Sequence, residues 1–339
     1  MKIKNLRKLM ISKRLNLLLG SGCSSEAIPL MGYYQSKCSD LNSANDELED
    51  KIKSVSQVLS SHNYLKINHP KGVDGTLKTY VAFIQKVVEI LNLSNARETP
   101  RRANIFTTNY DLFIEKAIDV VSRDYQFVVN DGSRGYFDKI LESSNFDQVV
   151  SYKGINDNYI SEIPSISLIK PHGSMNWDED EENDRVYIRN TVATNPLIVR
   201  PTGKESADTF KQNHFFSMLR FFTNELDKPQ SVLTVVGFSF QDKHIAKMVK
   251  RASANSELLI MCFCYSSGDV ETILKNLQFE LDAQIPKNIQ FIVPGKDKEN
   301  VLDNEKKQQY NVQTINCEQI TLDNVVDFMN GAFDEKEDE

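Results

Sequence analysis

Leu15-Asn16-Leu17-Leu18-Leu19 runs directly into Gly20-Ser21-Gly22-Cys23-Ser24-Ser25. A short, nearly unbroken apolar run suits a strand buried on both faces of a parallel sheet, because a half-exposed strand would alternate. A glycine-rich turn at the carboxyl end of such a strand lets backbone N–H groups approach a phosphate. The pattern recurs. Asn104–Thr107, Ser165–Ile169, Leu197–Val199, Val232–Val236, Leu258–Cys264 and Ile289–Val293 are apolar, rich in β-branched residues, and stop at Gly, Pro, Asn or Ser. Between them Leu112–Val121, Phe215–Leu226, Ile245–Lys250 and Val270–Leu281 carry helical periodicity. Strand, loop and helix in repetition predict an α/β fold, a doubly wound and mostly parallel Rossmann-like sheet.

Residues 40–100 break this rhythm. Asn45–Leu59 and Leu77–Leu91 read as helices separated by the turn-rich Asn68–Gly75, so a helical insertion is expected between the first and second strands. Residues 123–164 read as a second, irregular insertion, and the charge run Trp177–Asp184 as a solvated loop rather than a metal site. One domain over residues 1–330 and an acidic tail over 331–339 are expected.

The composition narrows the function. With 339 residues and 40% hydrophobic content the chain can bury a proper core, which excludes disorder as its main state. A net charge of −7 argues against a dedicated nucleic-acid coat, and no direct nucleic-acid binding is expected. Five scattered cysteines, an odd count, fit a reducing compartment better than a disulfide scaffold. No apolar run nears the roughly 20 residues needed to span a bilayer. Met1–Arg14 is basic and precedes an apolar run, as a signal peptide does, but that run is short and Asn16 interrupts it. A cytoplasmic protein with no membrane association is expected.

Four polar segments follow predicted strands. The first, Gly20–Ser25, offers Gly20, Ser21, Gly22 and Ser24 to a pyrophosphate. It lacks the third glycine of the dinucleotide fingerprint and the Gly-Lys-Ser/Thr of a P-loop, and a tight strand-to-helix turn would also explain it. The second is Thr107-Thr108-Asn109-Tyr110-Asp111. Helix capping by Asn109 or Asp111 would need only one of its polar residues. The third is Lys170-Pro171-His172-Gly173-Ser174, where His172 is the natural general base and Gly173 permits a ligand's close approach. The fourth runs from Val235 to Asp242. Gly237 and Ser239 are placed to meet a ribose or phosphate. Asp242 either bonds a hydroxyl or caps the next helix, and the two roles stand equal.

These four strand ends, in this order, resemble the sirtuin-like family. Its Gly-Ala-Gly-x-Ser loop with Gly-Ile-Pro, its Thr-Gln-Asn-x-Asp, its His-Gly and its late Gly-x-Ser read here as Gly20–Ser24 with Ala27-Ile28-Pro29, Thr107–Asp111, His172-Gly173 and Gly237-Phe238-Ser239. Thr-Thr-Asn-Tyr-Asp and Lys-x-His-Gly-Ser look most like the divergent prokaryotic branch associated with anti-phage defence and NAD hydrolysis. The departures are specific. Ala27 replaces a loop glycine, no Asp-Phe-Arg follows Pro29, and Thr108 stands where deacylating members have Gln. No cysteine occurs between Cys38 and Cys262, so the four-cysteine zinc module of protein deacylases is missing and no metal is expected.

The resemblance implies an NAD glycohydrolase with NAD as substrate, its pyrophosphate at Gly20–Ser24 under the dipole of a following helix. It implies Asn109 for ribose or water positioning, Asp111 for the nicotinamide carboxamide and His172 as general base. Thr108, Gly237, Ser239 and Asp242 would complete the nucleotide site. A protein deacylase or ADP-ribosyl transferase, and a non-catalytic NAD or ADP-ribose sensor, are the rival readings. With no appended sensor domain, control is expected from a homo-oligomer or from a partner such as a HerA-type ATPase. The 40–100 insertion is read as the oligomer surface, with a lid over the NAD cleft as its alternative.

Overall fold

A computed structural model describes residues 6–94, 100–152, 162–201, 213–281, 283–296 and 302–331. The acidic tail beyond 331 lies outside the described residues. The strands are β1 (Arg14–Leu19), β2 (Arg102–Thr107), β3 (Val128–Asn130), β4 (Ser133–Arg134), β5 (Ile140–Leu141), β6 (Ser165–Ile169), β7 (Gly173–Asp180), β8 (Arg185–Ile188), β9 (Pro196–Ile198), β10 (Ser231–Val236), β11 (Leu258–Phe263), β12 (Ile289–Pro294) and β13 (Val312–Ile315). Eight of them form one sheet in the order β13-β12-β11-β10-β1-β2-β6-β3. Every pairing in it is parallel.

The helices are α1 (Leu6–Ser12), α2 (Met31–Gln35), α3 (Leu41–Ser60), α4 (Val73–Leu93), α5 (Phe113–Val121), α6 (Asn213–Asp227), α7 (Lys243–Ala252), α8 (Asp269–Asn276), α9 (Asn304–Gln309) and α10 (Leu322–Met329). They cover both faces of the sheet. Leu15, Leu17, Ile105 and Ile166 join the apolar stripes of α3, α4, α5 and α10 in one core. Leu18, Phe106, Leu233 and Ile260 join α6, α7 and α8 in a second. Strand side chains alternate between faces, so two cores on one sheet are what a doubly wound fold requires.

Asn16, which interrupts the first apolar run, is fully buried, and its Oδ1 accepts a bond from Asn104 Nδ2 at 2.9 Å. The two sit opposite each other in the β1–β2 register. A one-residue slip would separate them, so the pair holds that register.

The helical insertion is present. Asp40 caps α3, its Oδ1 accepting from the N–H groups of Asn42 and Ser43, each at 2.9 Å. α4 is no appendage: Tyr80, Phe83, Ile84, Val87 and Val88 along one stripe are completely buried.

The structure differs from the sequence reading in four places. A second, antiparallel sheet of five strands, β4-β5-β8-β7-β9, joins two short strands from the stretch read as irregular to three that follow β6. Leu197–Val199 belongs to this sheet as β9 rather than to the parallel one, because a three-residue apolar run fits either setting. Within the charge run, Trp177–Asp180 are strand, with Trp177 buried against Phe215, and only the residues that follow turn toward β8. The helix expected over Val270–Leu281 stops at Asn276, where Leu277 caps it and Gln278 takes a left-handed φ of 60°. No described helix is long and apolar enough to cross a membrane.

Candidate functional site

β10, β1, β2 and β6 are consecutive in the sheet. The chain builds outward from β1 to β2 and β6, then returns to β10 on the other side, so the crevice for a ligand opens at the carboxyl ends of these strands. The four polar segments follow exactly those strands in the chain and meet at one cavity of about 230 Å³. Ser21, Ser24, Thr108, Asn109, Asp111, His172, Gly237, Ser239 and Asp242 line it, and Ile28, Pro29, Leu48, Ile52 and Phe238 give it an apolar wall.

Gly20 and Gly22 are not in that lining; they serve a different purpose from the one expected. Gly20 N–H donates to Val236 O at 2.9 Å and Gly22 N–H to Gly237 O at 3.0 Å. A Cβ on Gly20 would lie 2.2 Å from Gly237 O, and one on Gly237 would lie 2.7 Å from Cys23 N. The glycines interlock two loops, and Gly237 adds a φ of +63° that disfavours other residues. The loop then enters a single 3₁₀ turn, Ser21–Ser24, not an α-helix, so the expected helix dipole is not behind it. Cys23 sits in the joint, where burial first, and the Asp111 charge after it, push its thiol up to about 12 despite a bond from Gly20. It is an inert packing group.

The second segment is pinned from several sides. Asn109 Nδ2 donates to Gly20 O at 3.1 Å and so bridges the ends of β2 and β1. Asp111 accepts from Ser24 Oγ at 3.0 Å through Oδ2 and from Phe113 N–H at 3.3 Å through Oδ1. Asp111 is not the N-cap of α5, which is Leu112, but from the residue before it bonds the first N–H of the helix, beside a bond into the site. Burial raises the Asp111 carboxyl above the usual range, outweighing the nearby Lys170 ammonium and its own hydrogen bonds.

His172 Nε2 lies 2.9 Å from Asp242 Oδ2, with both side chains largely buried. Asp242 Oδ1 meanwhile accepts from the N–H groups of His244 at 2.8 Å and Ile245 at 3.1 Å. Of the two roles left open for Asp242, helix capping is filled by Oδ1, while Oδ2 meets the His172 imidazole rather than a hydroxyl. Burial alone would raise this carboxyl, but His172 and the two N–H groups together hold it below the usual range. A carboxylate on one ring nitrogen fixes the tautomer and leaves Nδ1 to take a proton. Gly173, by contrast, is explained by packing. Its φ is +86°, and a Cβ there would lie 2.0 Å from Leu197 O, where β7 crosses β9.

Residues 103–269 match the family model of the SIR2-like domain. This part of the chain is sirtuin-like. The match runs from β2 to the first residue of α8, so it contains the Thr107–Asp111, Lys170–Ser174 and Gly237–Asp242 segments. The Gly20–Ser24 loop lies before it and is tied to the domain by the glycine interlock. No curated protein matches the chain. A SIR2-like domain supports an NAD-related function.

Two residues that hold the sirtuin-like site escape a reading of the sequence. Lys170 is buried, and its Nζ donates to Asp111 O at 2.7 Å, Ser174 Oγ at 2.8 Å and Glu115 Oε1 at 2.8 Å. It stands two residues before His172 and ties the second strand end to the third. Tyr80, inside α4, places its hydroxyl 3.0 Å from Ser24 Oγ. Leu48 and Ile52 from α3 make the helical insertion one wall of the cavity, and Tyr80 stands behind Ser24.

Proposed function

We propose that the sirtuin-like site hydrolyses the nicotinamide–ribose bond of NAD, releasing nicotinamide and ADP-ribose. The observation that carries this is the Asp242-oriented His172 sharing one cavity with Asn109 and Asp111. The apolar wall of Ile28, Pro29, Leu48 and Ile52 suits a flat aromatic ring, and the polar floor suits a carboxamide and a ribose. Nicotinamide is a cation while bonded to ribose and leaves neutral, so little acid help is needed. The ribose carbon becomes oxocarbenium-like, as in glycoside hydrolysis. The protein's task is to orient the sugar, present water and take a proton. Asn109 holds ribose or water, Asp111 holds the carboxamide, and His172 accepts the proton while Asp242 stabilises the resulting imidazolium. Ser21, Ser24, Thr108, Gly237 and Ser239 hold the rest of the dinucleotide.

In a cell this activity fits NAD depletion as an anti-phage response, held in check by self-assembly or by a partner such as a HerA-type ATPase. The decisive test is nicotinamide release from NAD by wild type, Asn109→Ala and His172→Ala. Each variant should lose on the order of 100-fold or more of kcat/KM. Unchanged release from both variants would overturn the site. NAD-dependent turnover of acyl-peptides with no hydrolysis would favour a deacylase.

A further inference from the structure

The helical insertion reaches the site through one hydroxyl. Tyr80 lies along α4 with no exposed surface. Its OH is 3.0 Å from Ser24 Oγ, and Ser24 Oγ donates to Asp111 Oδ2 at 3.0 Å. The ring stacks on Phe113 at 5.5 Å and 5° between planes, and Phe113 N–H donates to Asp111 Oδ1. Tyr80 thus reaches Asp111 by two routes, through Ser24 by its hydroxyl and through Phe113 by its ring.

The polarity of this chain is set by its end. An ionised Asp111 only accepts, so Ser24 must donate to it, and the Ser24 oxygen is then free to accept from Tyr80. Hydroxyls linked in series in a dry interior polarise one another, so each bond strengthens the next. Packing alone does not call for the hydroxyl. The same stripe of α4 is filled by Phe83, Ile84, Val87 and Val88, and a phenylalanine would stack on Phe113 equally well. A buried hydroxyl costs desolvation unless it is bonded, and the Tyr80 hydroxyl bonds Ser24, a residue of the site.

We propose that Tyr80 is a positioning residue for the reaction: through Ser24 it fixes the rotamer and bonding of Asp111, and so makes the helical insertion part of the active site. This rests on the role given to Asp111 in NAD cleavage. Tyr80→Phe removes the hydroxyl and keeps the ring. Its kcat for nicotinamide release should fall about tenfold, the cost of roughly one hydrogen bond, with KM for NAD within about twofold. The pH limb that reports Asp111 should move to higher pH, because weaker donation from Ser24 favours the protonated carboxyl.

Ser24→Ala should act in the same direction, and the Tyr80→Phe/Ser24→Ala pair should be no worse than Ser24→Ala alone, since both break one chain. A purely structural tyrosine would instead give losses that multiply and a pH profile that stays put; either result, or wild-type kcat in Tyr80→Phe, overturns the proposal. Should wild type release no nicotinamide in its resting state, the relay is judged by ¹³C NMR titration of labelled aspartates, with Asp111 assigned by Asp111→Asn. Tyr80→Phe then either raises the Asp111 midpoint, as expected, or leaves it in place and sinks the relay.

Discussion

Asp111 and Asp242 are both buried at the same cavity, yet their carboxyls shift in opposite directions. Asp242 is held below its ordinary pKa. Its contribution to stability is present above the unfolded value near 4 and is lost as pH falls through the folded one. Asp242→Asn should therefore flatten the fall in Tm between about pH 5 and 3, read by thermal melts across that range. Asp111 is raised instead, so its contribution is present at low pH and lost as pH rises through its folded pKa. Asp111→Asn should melt at or above wild type at pH 7 while nicotinamide release collapses; a clear drop in Tm would show that the charged form is well solvated in place. Asn109, Asp111, His172 and Asp242 were legible in the sequence because each follows a recognisable strand. Tyr80 was not, because a tyrosine in the apolar stripe of a helix reads as core, and nothing in its spacing reports a hydroxyl turned toward Ser24. Lys170 lay in a quoted motif, but a lysine beside a histidine gives no sign that it will be buried.

The interlock of the first and fourth loops makes a sharp prediction for loops as units. Gly20→Ala drives a Cβ to 2.2 Å from a backbone oxygen that has nowhere to go, and should cost about 3 kcal/mol or more, the range of severe overpacking. Gly32 in α2 is the control, since a Cβ there meets nothing within 4 Å. Gly32→Ala should stabilise by about 0.5–1 kcal/mol through helix propensity alone. Urea midpoints of the two variants check both signs. A second contact joins elements across the sheet: Arg102 of β2 meets Glu225 of α6 at 3.1 Å, and both are almost fully buried. Arg102→Met strands that carboxylate, with Lys228 as its remaining partner, and should destabilise by about 3 kcal/mol in the same urea assay. The long buried strands were readable from their nearly unbroken apolar runs, and the amphipathic helices from their period of 3.6. The small antiparallel sheet was not, because β4 and β5 have two residues each and no period can show in two residues.

At the scale of the molecule, the position of β1 decides how the fold behaves. It is flanked by β2 on one side and by β10 on the other, although β10 begins only at Ser231. A chain ending at Gln230 would leave β1 as an edge strand with its apolar side chains and backbone unpartnered. Hydrogen exchange should find the amides of Leu17–Leu19 unprotected in that fragment and strongly protected in the whole chain. The fold class could be read from the strand rhythm, but this strand order could not, since which neighbour a central strand takes depends on contacts remote in sequence. The joint between Cys23 and Val236 spans 213 residues. A ribosome adding about 5–20 residues per second needs roughly 10–40 s to cover such a span. Throughout that interval the growing polypeptide carries the first loop without the partner that shapes it, so the cavity at the strand ends stays unfinished until synthesis has passed the tenth strand.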